Sequence, residues 1–162
     1  MTKNEISYID VWSDCPEKWQ TACKDFWLES KALPNDDALE TRIKQLCTLA
    51  VDGDRLVAVS TVFKAEYKPL RCELYFFRCL VSPEYRRRLI ARQLAITSRK
   101  TMEAFSAKYP TTSAAGMAVT VESPVYSEMS HRAIWPSGLN LVGYTNQGQQ
   151  VRVAWFQGAL LK

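Results

Sequence analysis

The sequence predicts a single α/β domain over residues 1–162, in which six to seven strands form a central sheet and about four helices flank it. One observation is the run Leu74–Val81, whose apolar and aromatic residues are typical of a short strand buried on both faces. The other is the change of period after residues 82–84, where apolar residues recur at helical spacing from Arg86 onward. The predicted stripe of this helix is Ile90, Leu94, Thr97, Thr101 and Phe105.

The segments before the strand Leu74–Val81 begin with a strand and two helices. Glu5–Trp12 has enough apolar and aromatic residues for the first strand. Asp14, followed by a proline, predicts the start of the first helix with Asp14 as its cap. Asn35 or Asp36 is predicted to cap the second helix. The chain therefore enters its sheet with a β, α, α order.

Strand signals return after the two helices. The Asp-Gly-Asp segment at 52–54 joins two β-branched runs, Thr48–Val51 and Arg55–Phe63, and predicts a hairpin. Beyond the long helix the predicted elements are a strand at Met117–Val121, a short helix through Val125, Met129 and Arg132, and a hairpin of Leu139–Tyr144 with Val151–Phe156. The complete order is β, α, α, β, β, β, α, β, α, β, β.

Composition limits the class of protein. With 47% hydrophobic and 23% charged residues, the chain has the composition of a soluble globular protein. No apolar run approaches the ~20 residues that span a bilayer, and the first residues lack the apolar segment of a secretory signal, so we expect a cytoplasmic protein without membrane contact. Five cysteines without a C-x-x-C pair and a single histidine predict reduced thiols and no metal site.

The charge at the junction between strand and helix indicates a ligand. Arg86, Arg87 and Arg88 are predicted to lie where the helix begins. The positive end of a helix disfavours such charges by roughly 0.3–1 kcal/mol each. Backbone N–H groups and arginine side chains both bind phosphate oxygens, so an anion would reverse this cost. The pattern therefore predicts a phosphate or pyrophosphate at this turn.

The segment Val81-Ser-Pro-Glu-Tyr-Arg-Arg-Arg-Leu-Ile-Ala, here called the signature, resembles the acyl-CoA-binding motif of the GNAT acyltransferase superfamily. In that motif a strand ending in Val-x-Pro leads into Arg/Gln-x-x-Gly-x-Gly/Ala at a helix start. Arg86 stands at the Arg/Gln place and Ala91 at the second small-residue place, but Leu89 replaces the first glycine. Glycine permits unusual dihedral angles and close approach to phosphate, whereas leucine narrows the allowed conformations.

The resemblance extends to the order of elements over nearly the whole chain and implies a GNAT-like mixed sheet. It also implies acetyl-CoA or another acyl-CoA as co-substrate. The implied cofactor-binding residues are the main chain of Leu80 and Val81 for the pantetheine arm, and Arg86, Arg87, Arg88, Leu89, Ile90, Ala91 and Arg92 for the diphosphate.

Candidate catalytic residues follow from the same resemblance. The general base is implied to be a carboxylate, either Glu73 on the strand before the signature or Glu122 after the next strand. The alternative for Glu73 is a residue at the end of the strand that faces water or forms an ion pair with Arg71 or Arg78. The Asn-x-x-Ala-x-x-x-Tyr pattern that carries the usual acid is not present, which leaves Tyr126, His131 and Tyr144 as competing candidates. His131 could titrate near neutrality, but a lone histidine is more often structural than catalytic.

We therefore expect an enzyme that transfers an acyl group from acyl-CoA to a primary amine, whose identity the sequence leaves open. The alternative is a GNAT-shaped module that has lost catalysis and binds nucleic acid or a protein partner through its basic helix. Leu89 in the glycine position and the missing tyrosine pattern favour this alternative. The exposed final strands are compatible with a homodimer.

Overall fold

A computed structural model describes residues 5–111, 114–122 and 131–161. The strands and α-helices of these residues are β1 Ile6–Asp10, α1 Glu17–Glu29, α2 Asp36–Ile43, β2 Leu46–Asp52, β3 Arg55–Tyr67, β4 Cys72–Val81, α3 Ile90–Lys108, β5 Gly116–Thr120, β6 Asn140–Tyr144 and β7 Gln150–Trp155. The fourth predicted helix falls mainly on residues 123–130, which lie outside the described part of the chain. The predicted order is otherwise the observed one.

The seven strands form one mixed sheet in the order β1-β2-β3-β4-β5-β7-β6. Strands β4 and β5 are parallel. The pairs β1–β2, β2–β3, β5–β7 and β6–β7 are antiparallel. The α/β class and the number of strands are therefore confirmed. No helix within the described ranges has the length and apolar composition needed to cross a membrane.

The chain forms two compact units. The first contains the described residues up to Val62 together with Arg78–Thr101, and the second contains Phe63–Phe77 and the described residues from Met102 onward. The bounds fall inside β3, β4 and α3, so these three elements contribute residues to both units. The prediction of a single domain stays a prediction.

One hydrophobic cluster of the first unit is formed by residues of α1, α2, β2 and β3 together with Val11. Its buried side chains are Val11, Cys23, Trp27, Leu39, Leu46, Leu49 and Val59. Asn35 caps α2 as predicted, since its side chain accepts a hydrogen bond from the Ala38 amide at 2.9 Å. The predicted Asp14 cap of α1 is wrong, because the helix begins later: Pro16 is the N-cap residue and Glu17 supplies the negative charge of the first turn.

The hairpin predicted at 52–54 is present, with Asp52 paired with Arg55 at its closed end. Gly53 has φ +62°, a left-handed conformation for which glycine is suited. Both strands are longer than the sequence predicted. Strand β2 begins at Leu46 and ends at Asp52, and β3 continues to Tyr67. The hairpin places Asp52 and Arg55 side by side at the end of β2 and the start of β3.

Helix α3 departs from the prediction at its start and on its buried face. It begins at Ile90 and not at Arg86. Ile90 and Leu94 are buried as predicted, but the stripe continues through Ser98 and Met102, while Thr97, Thr101 and Phe105 are only half-buried. Ser98 is tolerated in the core because its hydroxyl donates to Thr48 Oγ1 at 3.1 Å and lies 3.0 Å from Ser60 Oγ.

In the second unit the parallel ladder of β4 and β5 pairs Tyr75–Phe77 with Met117–Val119. The core here includes Leu74, Ala118 and Val153. Gly116 is required at the start of β5, because a Cβ atom there would lie 2.6 Å from the carbonyl oxygen of Ala154. The strands of this unit therefore approach each other closely at β5.

Arg152 in β7 is fully buried within the second unit. Its Nη2 donates to the carbonyl of Arg132 at 2.8 Å and its Nε to Gln150 Oε1 at 2.8 Å. Its guanidinium also lies 4.1 Å from the centre of the Trp135 ring. Burial lowers the pKa of this side chain from its usual value. These contacts fasten residues 132–139 to β7.

Candidate anion-binding site

The turn that follows β4 is built from two short local structures. Pro83–Tyr85 forms a single 3₁₀ turn, in which the Tyr85 amide donates to the Ser82 carbonyl at 2.9 Å. Residues 86–89 form a further turn before α3 begins. The Ser82 amide donates to the carbonyl of Val57 in β3 at 2.8 Å. The start of the turn is thus held by the sheet of the first unit.

The three arginines were predicted to lie where the helix begins, and the structure places them in the turn just before α3. All three side chains are exposed. Arg86 Nε donates to the Val81 carbonyl at 3.3 Å, and the Arg88 guanidinium lies 4.7 Å from the centre of the Tyr85 ring. These contacts hold two of the three cations beside the end of β4. No acidic residue lies in the first turn of α3 to neutralise them.

Leu89, at the place of the first glycine, has φ +56°. This is the left-handed conformation that leucine rarely adopts. The carbonyl of Leu89 accepts the first helical hydrogen bond, from the Gln93 amide at 3.1 Å, so the N–H groups of Ile90, Ala91 and Arg92 have no acceptor one turn back along α3. The Leu89 side chain is 68% exposed and does not fill the turn. We call residues 86–92 the anion corner.

Leu89→Gly is expected to raise the free energy of unfolding by about 0.5–1 kcal/mol. Relief of the left-handed conformation contributes roughly 1–2 kcal/mol, and the greater freedom of glycine in the unfolded chain offsets roughly 0.5–1 kcal/mol of it. Urea unfolding measures the difference. Leu89→Ala is the matched control, since it removes the exposed side chain but keeps the Cβ atom. Equal stability of the glycine and alanine variants would contradict the explanation.

Four residues beside the anion corner, Asp52, Arg55, Glu84 and Tyr85, form contacts that the sequence did not predict. The Tyr85 hydroxyl donates to Asp52 Oδ2 at 2.8 Å. This hydrogen bond is the largest cause of the raised pKa of Tyr85. Arg55 forms an ion pair with Glu84 at 3.0 Å. The only sequence signal for these contacts is the Asp-Gly hairpin, which places Asp52 opposite Arg55.

The two candidate bases lie apart. The Glu73 carbonyl accepts a hydrogen bond from Ala115, and its half-exposed carboxylate is 3.6 Å from Lys64 Nζ. Glu122 follows β5 and is exposed. Glu73 therefore precedes the three-residue β4–β5 ladder and Glu122 follows it, so the structure does not bring the two carboxylates together. The ion pair expected for Glu73 is present, but with Lys64 and not with Arg71 or Arg78.

Two of the three candidate acids, His131 and Tyr144, lie in the second unit. Tyr126 lies outside the described residues. His131 is exposed, and Tyr144 at the end of β6 is 60% exposed. Thiol chemistry gains no support, because burial raises the pKa of Cys23 and of Cys47 to about 12. Among the described side chains, no group of three or more metal-ligating residues is placed to hold an ion.

No protein-family model and no curated protein sequence matches the chain. Solved structures are similar to it. A polyamine N-acetyltransferase of Drosophila melanogaster, described as forming N-acetylagmatine, has a TM-score of 0.63 at 12% identity over 94% of this chain and 100% of that one. A mutant agmatine N-acetyltransferase in its apo form has a TM-score of 0.66 at 11% identity, and the match covers 94% of this chain and 100% of that one. An acetyltransferase of the GNAT family from Streptococcus pneumoniae has a TM-score of 0.54 at 12% identity, and the match covers 92% of this chain and 96% of that one.

The sheet order, the parallel β4–β5 pair and these similarities show that the chain has the GNAT fold. The fold predicted from the signature is therefore confirmed. At this level of identity the likeness concerns the fold alone.

Proposed function

We propose that the chain is an acyl-CoA-dependent N-acyltransferase, which transfers an acetyl or other acyl group to a primary amine. The observation that carries the proposal is the left-handed Leu89 between exposed guanidinium groups and the first N–H groups of α3. This backbone conformation is the one that glycine would supply at the same place in the GNAT motif. The anion corner therefore retains the shape expected for a diphosphate despite the substitution.

The anion corner fits a diphosphate in charge as well as in shape. Arg86 and Arg88 offer charged donors, and the N–H groups of Ile90, Ala91 and Arg92 lie at the positive end of a 19-residue helix. Repulsion among the arginines disfavours the corner without an anion and is relieved when one binds. In the proposal the main chain of Leu80 and Val81 aligns the pantetheine arm.

Acyl transfer requires two proton movements. The amine nitrogen attacks the thioester carbonyl carbon, the C–S bond breaks, the amine loses a proton and the leaving thiolate gains one. We propose Glu73 or Glu122 as the acceptor of the amine proton, and Tyr126, His131 or Tyr144 as the donor to sulfur. The Lys64–Glu73 ion pair is the contact expected of a surface residue and does not favour Glu73 over Glu122.

Calorimetric titration with acetyl-CoA, at several salt concentrations, tests the proposal. We expect one site per chain. The complex is then incubated with agmatine, a polyamine and a peptide with a free amino terminus, and mass spectrometry follows the mass of each amine. An increase of one acetyl group on any of them supports the proposal. No binding of acetyl-CoA at millimolar concentration would overturn it.

The alternative, a module that binds nucleic acid through its basic helix, is not favoured by the anion corner. Leu89 is one of the two features that favour it, and Leu89 has the left-handed backbone conformation that glycine would supply. Titrations at several salt concentrations distinguish the acyltransferase from the nucleic-acid-binding module. Affinity for nucleic acid falls steeply with ionic strength, because many counterions are released on binding. A diphosphate held by two or three arginines has a shallower dependence.

A further inference from the structure

One aromatic ring connects the anion corner to the β2–β3 hairpin. Tyr85, the last residue of the 3₁₀ turn, is 8% exposed, and its hydroxyl donates to Asp52 Oδ2 at 2.8 Å. Asp52 is the last residue of β2, next to the hairpin turn. Its second carboxylate oxygen is also buried and has no hydrogen-bond partner among the described residues. The phenol is therefore held by a half-buried carboxylate, one oxygen of which is withdrawn from water.

Two guanidinium groups contact the ring of Tyr85. That of Arg88 lies 4.7 Å from the ring centre, and that of Arg55 lies 5.7 Å from it. Both distances are within the range of cation–π attraction. Arg55 is held a second time through its ion pair with Glu84. One side chain from the hairpin and one from the anion corner are thus gathered on the same ring.

This arrangement reduces the disorder of two long side chains before any anion arrives. Arginine side chains lose rotamer freedom when they bind a ligand, and a group already held near its bound position loses less. The hydroxyl fixes the ring, and the ring fixes the cations. The phenol therefore influences anion binding without being a phosphate ligand.

We propose that Tyr85 is a positioning residue, which holds Arg88 and Arg55 for the same diphosphate, and that Arg55 is a further anion-binding residue. The proposal rests on the proposed function in that the diphosphate is taken to be that of an acyl-CoA. It assigns a role to the hairpin, which the signature does not include. Glu84 acts in it as the counterion that keeps Arg55 in place.

A double-mutant cycle on Tyr85→Phe and Arg88→Ala tests this inference, with inorganic pyrophosphate and acetyl-CoA as separate probes in calorimetric titrations. The phenylalanine variant keeps the ring but loses the hydrogen bond to Asp52, and we expect its affinity for both probes to fall by about fivefold. In the Arg88→Ala background the same change is expected to cost less than about twofold, because only Arg55 then remains for the ring to hold. A residue with a merely structural role would give additive losses.

Two further variants keep the test decisive. Tyr109→Phe removes a phenol hydroxyl from the end of α3 and is expected to leave both affinities unchanged. Arg55→Ala is expected to weaken both probes by about fivefold or more, in line with the loss of a charged hydrogen bond. If Tyr85→Phe fails to fold, Asp52→Asn is used in its place. The asparagine weakens the same hydrogen bond to the Tyr85 hydroxyl and keeps the shape of the Asp52 side chain.

The outcomes separate this inference from the proposed function. Binding of pyrophosphate without acetyl-CoA would overturn the proposed function, while the cycle with pyrophosphate still decides the role of Tyr85. Binding of acetyl-CoA with unchanged affinity in Tyr85→Phe, or with additive losses in the cycle, would overturn the inference and leave the proposed function standing. Binding of neither probe would overturn both.

Discussion

Arg152→Met is expected to lower the free energy of unfolding by about 3–5 kcal/mol. The guanidinium of Arg152 is fully buried and donates to Arg132 and Gln150, with longer contacts of 3.5 Å to the carbonyls of Ala133 and Leu139. Methionine has a similar length but donates no hydrogen bond. Each buried acceptor left without a donor costs roughly 1–3 kcal/mol, and the stacking on Trp135 is lost as well.

Urea unfolding followed by circular dichroism measures this effect, and Arg132→Met is the matched control. Arg132 is exposed, and its backbone carbonyl, which is the group that Arg152 binds, is unaffected by the substitution. The control is expected to stay within about 0.5 kcal/mol of the parent. If Arg152→Met were as stable as the control, its hydrogen bonds would not hold residues 132–139.

Arg86→Ala and Arg88→Ala are each expected to weaken acetyl-CoA binding by about 1.5–3 kcal/mol, or roughly 10- to 150-fold. The physical reason is the loss of a charged donor to a phosphate oxygen. Arg88 is held by the Tyr85 ring and Arg86 by the Val81 carbonyl, so both cations are ordered before binding. Neither substitution is expected to change the stability of the fold by more than a few tenths of a kcal/mol, because both side chains are exposed.

Lys100→Ala provides the control for net charge. Lys100 is exposed on α3, ten residues beyond its start, and its removal changes the charge of the chain by the same amount. We expect it to leave the calorimetric affinity within about twofold of the parent at physiological salt, where exposed charges are screened beyond about 8 Å. Equal losses in Lys100→Ala and Arg86→Ala would show that binding follows overall charge and not the anion corner.

The order of elements could be predicted because each element has a period or a turn signal of its own. The Asp-Gly hairpin and the Asn35 cap depend on residues adjacent in sequence, and both were confirmed. The start of α3 was missed for a physical reason. Arginine has a high helix propensity, so the helical pattern in the sequence extends back to Arg86. In the structure the left-handed conformation of Leu89 interrupts this pattern, and α3 begins at the next residue.

The partners within the anion corner could not be predicted, because they depend on strand register. Tyr85 and Asp52 are 33 residues apart in the sequence and meet only when the turn after β4 packs against the hairpin. Arg152 is a similar case. A charged residue between Val151 and Val153 is expected to face solvent, and its burial follows from carbonyl groups that the sequence pattern does not reveal.

The most direct test of the central claim is a crystal structure of the protein with acetyl-CoA. The claim predicts both phosphates at the anion corner, within hydrogen-bond distance of the N–H groups of Ile90 to Arg92 and of the guanidinium groups of Arg86 and Arg88. A diphosphate bound elsewhere on the chain, with Leu89 turned inward to cover those N–H groups, would contradict it.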